Sequence, residues 1–334
     1  MKILLLGKNG QLGWELQRSL APLGEVVALD RHSQDLCGDL GNLQGLAETV
    51  RSLRPNLIVN AAAHTAVDKA ESDPELACMI NALAPGVLAQ EAEKLGAWLV
   101  HYSTDYVFDG SGSRPWVETD TPAPLGVYGQ TKLQGEQLIA RHCQRHLILR
   151  TSWVYAARGA NFATSMIHQA QEQKRLVVVD DQFGAPTGAE LIADVTAHAI
   201  RQVIRCPQYA GLYHLAASGQ TSWYGYAKHV LAQAGDTCLA IKKIANEIMP
   251  VTTSTFSTRA RRPHNSRLNT SKLQKTFDLI LPAWQQGVDR MLNEILAPHV
   301  DENLNHLFKL CGTPSQLPAM AGCRKLPTCP AHPV

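Results

Sequence analysis

Lys2-Ile-Leu-Leu-Leu-Gly7-Lys-Asn-Gly10-Gln-Leu-Gly13 is the stretch that decides the fold. A short apolar run of β character leads into closely spaced glycines, after which Leu12, Leu16 and Leu20 recur at helical spacing. The order is strand, tight turn, helix. The glycines allow the sharp turn, let a pyrophosphate approach backbone N–H groups at a helix N-terminus, and let the helix pack closely on the strand. Isolated glycine triplets also occur in ordinary loops; this one lies between a strand and a helix, which selects dinucleotide binding.

Working outward, Glu25 to Asp30 reads as a second strand ending in a carboxylate, where an acid can accept hydrogen bonds from the adenosine ribose. Asp30 favours NADH, while Arg31 beside it keeps NADPH open as the alternative. Asp39 and Leu40, ahead of a helical stretch from Asn42 to Leu53, are placed to meet the adenine. Leu57 to Asn60 is a third strand, and Ala61, Ala62, Ala63, His64 and Thr65 follow it with mostly small side chains against which a cofactor can lie. Asp73 and Pro74 open a helix reaching about Lys94. Inside it Pro85 interrupts the backbone ladder, and Asn81 can satisfy freed groups or support the site. Trp98 to Ser103 is the fourth strand, with Thr104, Asp105 and Tyr106 at its carboxyl end, where ligands of such sheets gather. Residues 128–143 form a helix and 146–150 a fifth strand.

Beyond that point the alternation loosens into helices at 161–173, 190–204 and 282–296 and strands at 176–179 and 211–216. The expected architecture is α/β, a Rossmann-like doubly wound parallel sheet with a smaller C-terminal substrate-binding lobe. Residues 1–150 make the NAD(P)-binding domain, re-entered by some later segments, and 151–296 make most of the lobe. From Pro298 onward apolar periodicity is lost, so 297–334 reads as a disordered tail; its Cys311, Cys323, Cys329, His306 and His332 match no standard metal spacing.

Tyr128-Gly-Gln-Thr-Lys132 supplies the chemistry, because residues four apart on a helix are neighbours and here they are a phenol and an ammonium. A phenol with a pKa of about 10 transfers protons poorly near neutrality unless a nearby cation stabilises the phenolate. Lys132 can be that cation, and with a hydroxyl from Ser103 or Thr104 the set becomes a proton donor for a carbonyl receiving a hydride. The same spacing also arises by chance on exposed helices.

Composition narrows the field. Net charge is +2 and the only basic run is Arg259-Ala-Arg-Arg262, so nucleic acid is not the expected partner. The apolar run at the N-terminus is too short for a signal peptide, and no stretch could span a bilayer. The 8 cysteines include no C-x-x-C pair and read as reduced thiols of a cytoplasmic protein. Neither H-E-x-x-H nor G-x-S-x-G occurs, which removes the usual metalloprotease and serine hydrolase signatures.

The glycine turn, Ser103-Thr-Asp-Tyr-Val-Phe108, Tyr128-Gly-x-Thr-Lys132-x-x-Gly-Glu136, Arg150-Thr-Ser-Trp153 and Arg262-Pro-x-Asn-Ser-x-Leu268 together resemble the extended short-chain dehydrogenase/reductase family, over roughly residues 1–296. The resemblance is to its members that reduce 4-keto sugar nucleotides. It implies NADPH or NADH reducing the 4-keto group of a dTDP-linked deoxysugar used in cell-surface polysaccharides. Tyr128 would be proton donor, Lys132 would lower its pKa and hold the nicotinamide ribose, and Thr104 would bond near the same oxygen. It also implies Gly7, Gly10, Gln11, Leu12 and Gly13 at the pyrophosphate, Asp30 at the ribose, Asp39 and Leu40 at the adenine, and Ala63, His64, Thr65 and Tyr102 along the cofactor. Thr104, Asp105 and Trp153 match substrate positions, with the Arg262 region near the nucleotide. Some members place a structural magnesium ion at a homodimer interface, and Glu15, Glu190 and Glu294 match its ligands. Asn269 stands where the family usually has an acid.

Other functions share parts of this pattern. A 4,6-dehydratase needs Thr-Asp-Glu where Thr104-Asp105-Tyr106 stands, which disfavours it. A 4-epimerase would retain its cofactor and not consume added NADPH stoichiometrically. A relative of the family serves methionine adenosyltransferase as a non-catalytic subunit, and an intact Tyr128/Lys132 pair does not by itself exclude that role.

Overall fold

The computed structural model describes residues 1–173, 175–237, 247–256 and 258–296. The expected tail, with its cysteines and histidines, lies outside the described residues. The first part of the chain forms β1 (Lys2–Leu6), α1 (Gln11–Leu20), β2 (Glu25–Leu29), α2 (Leu43–Leu53), β3 (Leu57–Asn60), α3 (Val67–Ser72), α4 (Pro74–Cys78), α5 (Ala84–Leu95), β4 (Trp98–Thr104), α6 (Val127–His142) and β5 (His146–Thr151). The remainder forms β6 (Val154–Tyr155), α7 (Phe162–Glu172), β7 (Arg175–Val179), β8 (Phe183–Gly184), β9 (Thr187–Gly188), α8 (Ala189–Arg205), β10 (Gly211–His214), β11 (Thr221–Ser222), α9 (Trp223–Thr237), β12 (Glu247–Val251), α10 (Ser271–Phe277) and α11 (Trp284–Leu296).

The main sheet is parallel throughout, in the order β10-β5-β4-β3-β1-β2. Parallel strands are covered by helices on both faces, which is why β1, β3 and β4 are near-continuous apolar runs. Their side chains alternate. Ile3, Leu5, Leu57, Val59, Val100 and Tyr102 meet residues of α1 and α8 in one core, while Leu4, Leu6, Ile58 and Leu99 meet residues of α2, α5 and α6 in the other. Strand order reverses between β1 and β3, and a crevice outside their carboxyl ends is the usual ligand position in such sheets.

Residues after β5 contribute twice. Strand β10 extends the main sheet alongside β5, and α8 covers one face. The rest makes three separate two-stranded pairs, β6 with β9, β8 with β11 and β7 with β12, around a core that includes Tyr155, Met166, Val178, Tyr226, Trp284 and Met291. Helices α9 and α10 and strand β12 were not expected from the sequence.

The long helix expected from Asp73 to Lys94 is broken. Asp73 caps α4 through the Leu76 N–H and Pro74 follows it, but Met79–Leu83 is a π-type turn before α5 begins. Pro85 has no N–H to give the carbonyl four residues earlier, which belongs to Asn81. Helix α6 passes directly over that carbonyl at Gly135, where any Cβ would lie 2.2 Å from the Asn81 oxygen. Among the described residues no helix is long and apolar enough to cross a membrane.

Candidate active site

The glycine turn divides its labour. Gly7 takes φ +90°, and a Cβ on Gly13 would sit 2.0 Å from the Gly7 carbonyl oxygen, so both are demanded by the fold itself. Gly10 differs: its Cβ would meet nothing closer than the Gly7 oxygen at 3.4 Å. No side chain caps α1, whose N-terminus begins at Gly10, so its first N–H groups remain available to an anion. Asn9 ties this turn to the end of β2 by donating to Asp30. Asp30 also accepts from the His32 N–H (2.9 Å) and the Ser33 hydroxyl, and the His32 bond chiefly draws its carboxyl below the usual range. Asp39 turns back to the Gly41 N–H (2.9 Å), and Leu40 is buried in the core, so Leu40 can offer a ligand only its backbone.

Past β3, the backbone N–H and C=O of His64 both bond the side chain of Asn81, at 2.9 and 3.1 Å. Asn81 donates again to the Thr131 hydroxyl (3.2 Å), which itself donates to the Tyr128 carbonyl (3.0 Å). The asparagine of the π-type turn thus links the loop after β3 to the helix carrying Tyr128. Gly129 is required next to that tyrosine, because its Cβ would come 2.2 Å from the Tyr106 carbonyl oxygen. Helix α6 starts without a local cap; Glu71 of α3 accepts from the Val127 N–H at 2.8 Å.

Thr104 and Tyr128 meet at the carboxyl end of β4. Part of Tyr128 reaches solvent, yet the surroundings of its hydroxyl push the phenol up to about 12, with a Thr104 hydrogen bond pulling the other way and Asp105 adding to the rise. Its ring packs edge-on against Tyr106, centroids 5.6 Å apart. Asp105 is buried and pushed up to about 7, against the pull of hydrogen bonds from Ser266 and Thr104. Lys132 departs from expectation. Its Nζ donates to the Tyr102 carbonyl (2.6 Å) and lies 3.1 Å from His101 Nε2, burial lowers it to about 8, and it is not among the groups that shift Tyr128. The Tyr102 ring lies in the core with its hydroxyl on Thr196 (2.9 Å), so its contribution to the site is that carbonyl.

Trp153 follows β5 in left-handed backbone, φ 48°, and stacks on Trp223 with centroids 3.7 Å apart. Gly184 makes room for it, since a Cβ there would come 2.7 Å from the indole. Arg262 reaches across to Asp68 of α3 at 2.6 Å. Arg150, at the end of β5, forms a two-pronged buried pair with Glu136 at 2.9 and 2.6 Å.

Within a single chain the three glutamates expected to hold magnesium do not form a metal-binding group. Glu190 is close enough to Glu15 and Glu294 to be affected by both, but Arg290 bonds Glu190 (3.2 Å) and Arg18 bonds Glu15 (3.4 Å), so cations of the chain already partner two of the three carboxylates. Among the described residues no group of three or more His, Cys, Asp or Glu side chains could hold a metal ion.

A nicotinamide dinucleotide fits the rest. The α1 N-terminus is uncapped, Gly10 is free of internal clash, and His64 Nδ1, Ser103 Oγ, Asp105 Oδ2 and Thr151 Oγ1 are buried without partners at or just past the carboxyl ends of β3, β4 and β5. Buried polar atoms without partners call for an explanation, and a polar ligand at this rim supplies one.

A doubly wound parallel sheet, a phosphate-type turn at its first crossover and a Tyr-x-x-x-Lys helix beside the fourth strand define the extended short-chain dehydrogenase/reductase class. Residues 1–297 match the family described as the RmlD substrate binding domain, and the chain belongs to it. The dTDP-4-dehydrorhamnose reductase of Escherichia coli (strain K12) is 60% identical over 295 residues, covering 88% of this chain and 98% of the relative. Among solved structures, the dTDP-4-dehydrorhamnose reductase of Clostridium acetobutylicum aligns with a TM-score of 0.79 at 35% identity, covering 88% of this chain and 99% of that one. That of Bacillus anthracis, in complex with NADP, aligns with a TM-score of 0.77 at 33% identity and the same coverage.

Residues that sequence reading missed as site components are Asn9, Asn60, Glu71 and His101. His101 had a local signal, an imidazole directly after the apolar run Trp98-Leu-Val100 of a parallel strand. Glu71 had none, being 56 positions from the N–H it caps.

Proposed function

We propose that the chain is an NAD(P)H-dependent oxidoreductase that reduces the 4-keto group of dTDP-4-dehydro-L-rhamnose to give dTDP-L-rhamnose, with Tyr128 as proton donor. The observation that supports this best is the meeting of Tyr128, Thr104 and buried Asp105 at the carboxyl end of β4, within a chain of this family. When bound, the nicotinamide supplies the hydride. The chain's own residues hold and move the proton. A phenol at about 12 is protonated throughout the neutral range, which is the state a donor needs, and a forming alkoxide is a stronger base than a phenolate. Thr104 holds the phenol in place and stabilises the phenolate left behind. Asp105, near 7, can donate to or accept from a sugar hydroxyl.

Gly10, Gln11 and Leu12 would cradle the pyrophosphate, Asp30 the ribose, the backbone at 39–40 the adenine, and Ala63, His64 and Thr65 the cofactor's flank. Lys132 would hold the nicotinamide ribose, and Trp153 the sugar. The working unit we infer is a homodimer, from the family resemblance alone; sedimentation analysis tests it.

Mixing purified protein with NADPH and a panel of dTDP-4-keto sugars, then identifying products, tests the reading. The expected result is loss of nicotinamide absorbance with the rhamno product, slowed about 10²–10⁴-fold in Tyr128→Phe. No turnover by the wild type with any member would overturn it and favour a non-catalytic subunit.

A further inference from the structure

Behind Lys132 lies a closed set of hydrogen-bonding groups that the reductase chemistry does not use. His101 and Asn60 are register partners on the adjacent strands β4 and β3, and each is only 1% exposed, so their polar atoms must be satisfied internally. His101 Nε2 lies 3.1 Å from Lys132 Nζ, and its Nδ1 lies 3.2 Å from Asn60 Nδ2. Asn60 Oδ1 accepts from the Ala62 N–H at 3.2 Å, and Lys132 donates to the Tyr102 carbonyl at 2.6 Å. The two ends are backbone groups whose roles cannot change.

Counting donors fixes the rest. The Ala62 N–H can only donate, so the Asn60 oxygen faces it and the Asn60 amide donates to His101 Nδ1. A neutral imidazole carries one N–H, which must then be on Nε2, directed at Lys132. An amine can accept that bond; an ammonium has no acceptor. With Lys132 charged, the imidazole proton moves to Nδ1 and meets the Asn60 amide, donor against donor. Turning the amide over merely transfers the conflict to Ala62. The circuit closes only around an uncharged lysine. His101 cannot take the extra proton instead, because burial holds its pKa well below that of an ordinary histidine.

The other ionisable groups near Lys132 are few. Tyr128 and Glu136 share its helix, Glu136 being paired with Arg150 of β5; Asp105 follows β4, and Glu71 of α3 is bonded to the Val127 N–H. Of these, only Glu136 acts on the lysine, and it favours the charged form.

We propose that Asn60 and His101 are positioning residues that lock the imidazole tautomer behind Lys132 and thereby favour its uncharged state. This tautomer lock stands independently of the reductase reading.

The test is nitrogen NMR of the full chain labelled with ¹⁵N-histidine and without substrate, His101 being assigned by its loss in His101→Gln. At about pH 9 the wild type is expected to show the Nε2–H tautomer, and at about pH 6.5 the Nδ1–H tautomer with the ring still neutral, the proton having gone to Lys132. In Asn60→Asp a carboxylate accepts from both Ala62 and Nδ1–H, so Nδ1–H is expected at both pH values. An Nδ1–H wild type at the higher pH overturns the proposal without recourse to any variant, as does an Asn60→Asp spectrum like that of the wild type. A purely structural histidine would not change tautomer with pH. Because no turnover is read, failure here is distinct from failure of the reductase assay.

Discussion

Up to Thr151 the site is carried by backbone ladders, five parallel strands with helices returning between them; after it, residues reach the site through three isolated two-stranded pairs and a set of side-chain ties. Asp181 accepts from the Thr253 N–H at 2.9 Å, Ser222 bonds Asp180, and Arg262 bonds Asp68. In the first region a side chain's place follows from strand register. In the second it follows from which distant side chain it finds, so single substitutions should cost less there and act more locally.

The largest effect is expected at Gly13, where alanine would put a methyl group 2.0 Å from a backbone oxygen. Gly13→Ala should lose about 4–5 kcal/mol in urea unfolding. Gly10→Ala is the contrast: stability within about 1 kcal/mol of the wild type but NADPH affinity reduced about tenfold or more by fluorescence titration. Equal losses of stability in the two variants would break the distinction between a glycine the fold needs and one a ligand needs.

Next comes the Arg150–Glu136 pair, both members nearly inaccessible. Arg150→Met leaves a buried carboxylate alone and should cost about 3–5 kcal/mol, while the double change Arg150→Met with Glu136→Met should recover much of it. A double variant no better than the single would show that packing, not charge, holds β5 to α6.

Acid probes both regions. His214, which β10 brings into the main sheet, is pushed down to about 3 from 6.5, mainly by burial and then by Arg150. Glu91 is drawn down to about 2 from 4.5, mainly by its bond to Arg51 and then by Lys94. Both native values lie below the unfolded ones, so the unfolded chain binds more protons as pH falls and stability declines. The His214 contribution is intact above pH 6.5 and lost on descending toward 3; that of Glu91 is intact above 4.5 and lost toward 2. His214→Gln should flatten the upper part of a stability–pH curve and leave the lower part, and an unchanged upper part would contradict the assignment.

The smallest effect belongs to the second region. Asp68 is 45% exposed where it meets Arg262, so Asp68→Asn should cost no more than about 0.5–1 kcal/mol. A loss as large as that of Arg150→Met would mean that this tie holds the two regions together as firmly as the sheet does.

Much of the first region was legible because its information is local. A glycine turn between strand and helix, an acid after β2 and a Tyr/Lys pair four residues apart are short-range patterns, and the structure brings them to one sheet edge. Helix α9 and strand β12 were not legible, because they are stabilised by partners far away in sequence: β12 pairs with β7 across about 70 residues, and α9 packs on α7 and α11.

The sequence by itself determined the strand–turn–helix at Lys2 to Leu20 and the helix presenting Tyr128 and Lys132, since periodicity and turn sterics act within a few residues. Tertiary structure alone decided that Lys132 turns to His101 and the Tyr102 carbonyl, that Glu71 caps the tyrosine's helix, and that Arg18 and Arg290 bond two of the three glutamates expected to hold a metal. The physical reason is that a buried polar atom takes whatever partner the sheet order and helix packing bring within reach, and that order is set by contacts between residues tens of positions apart.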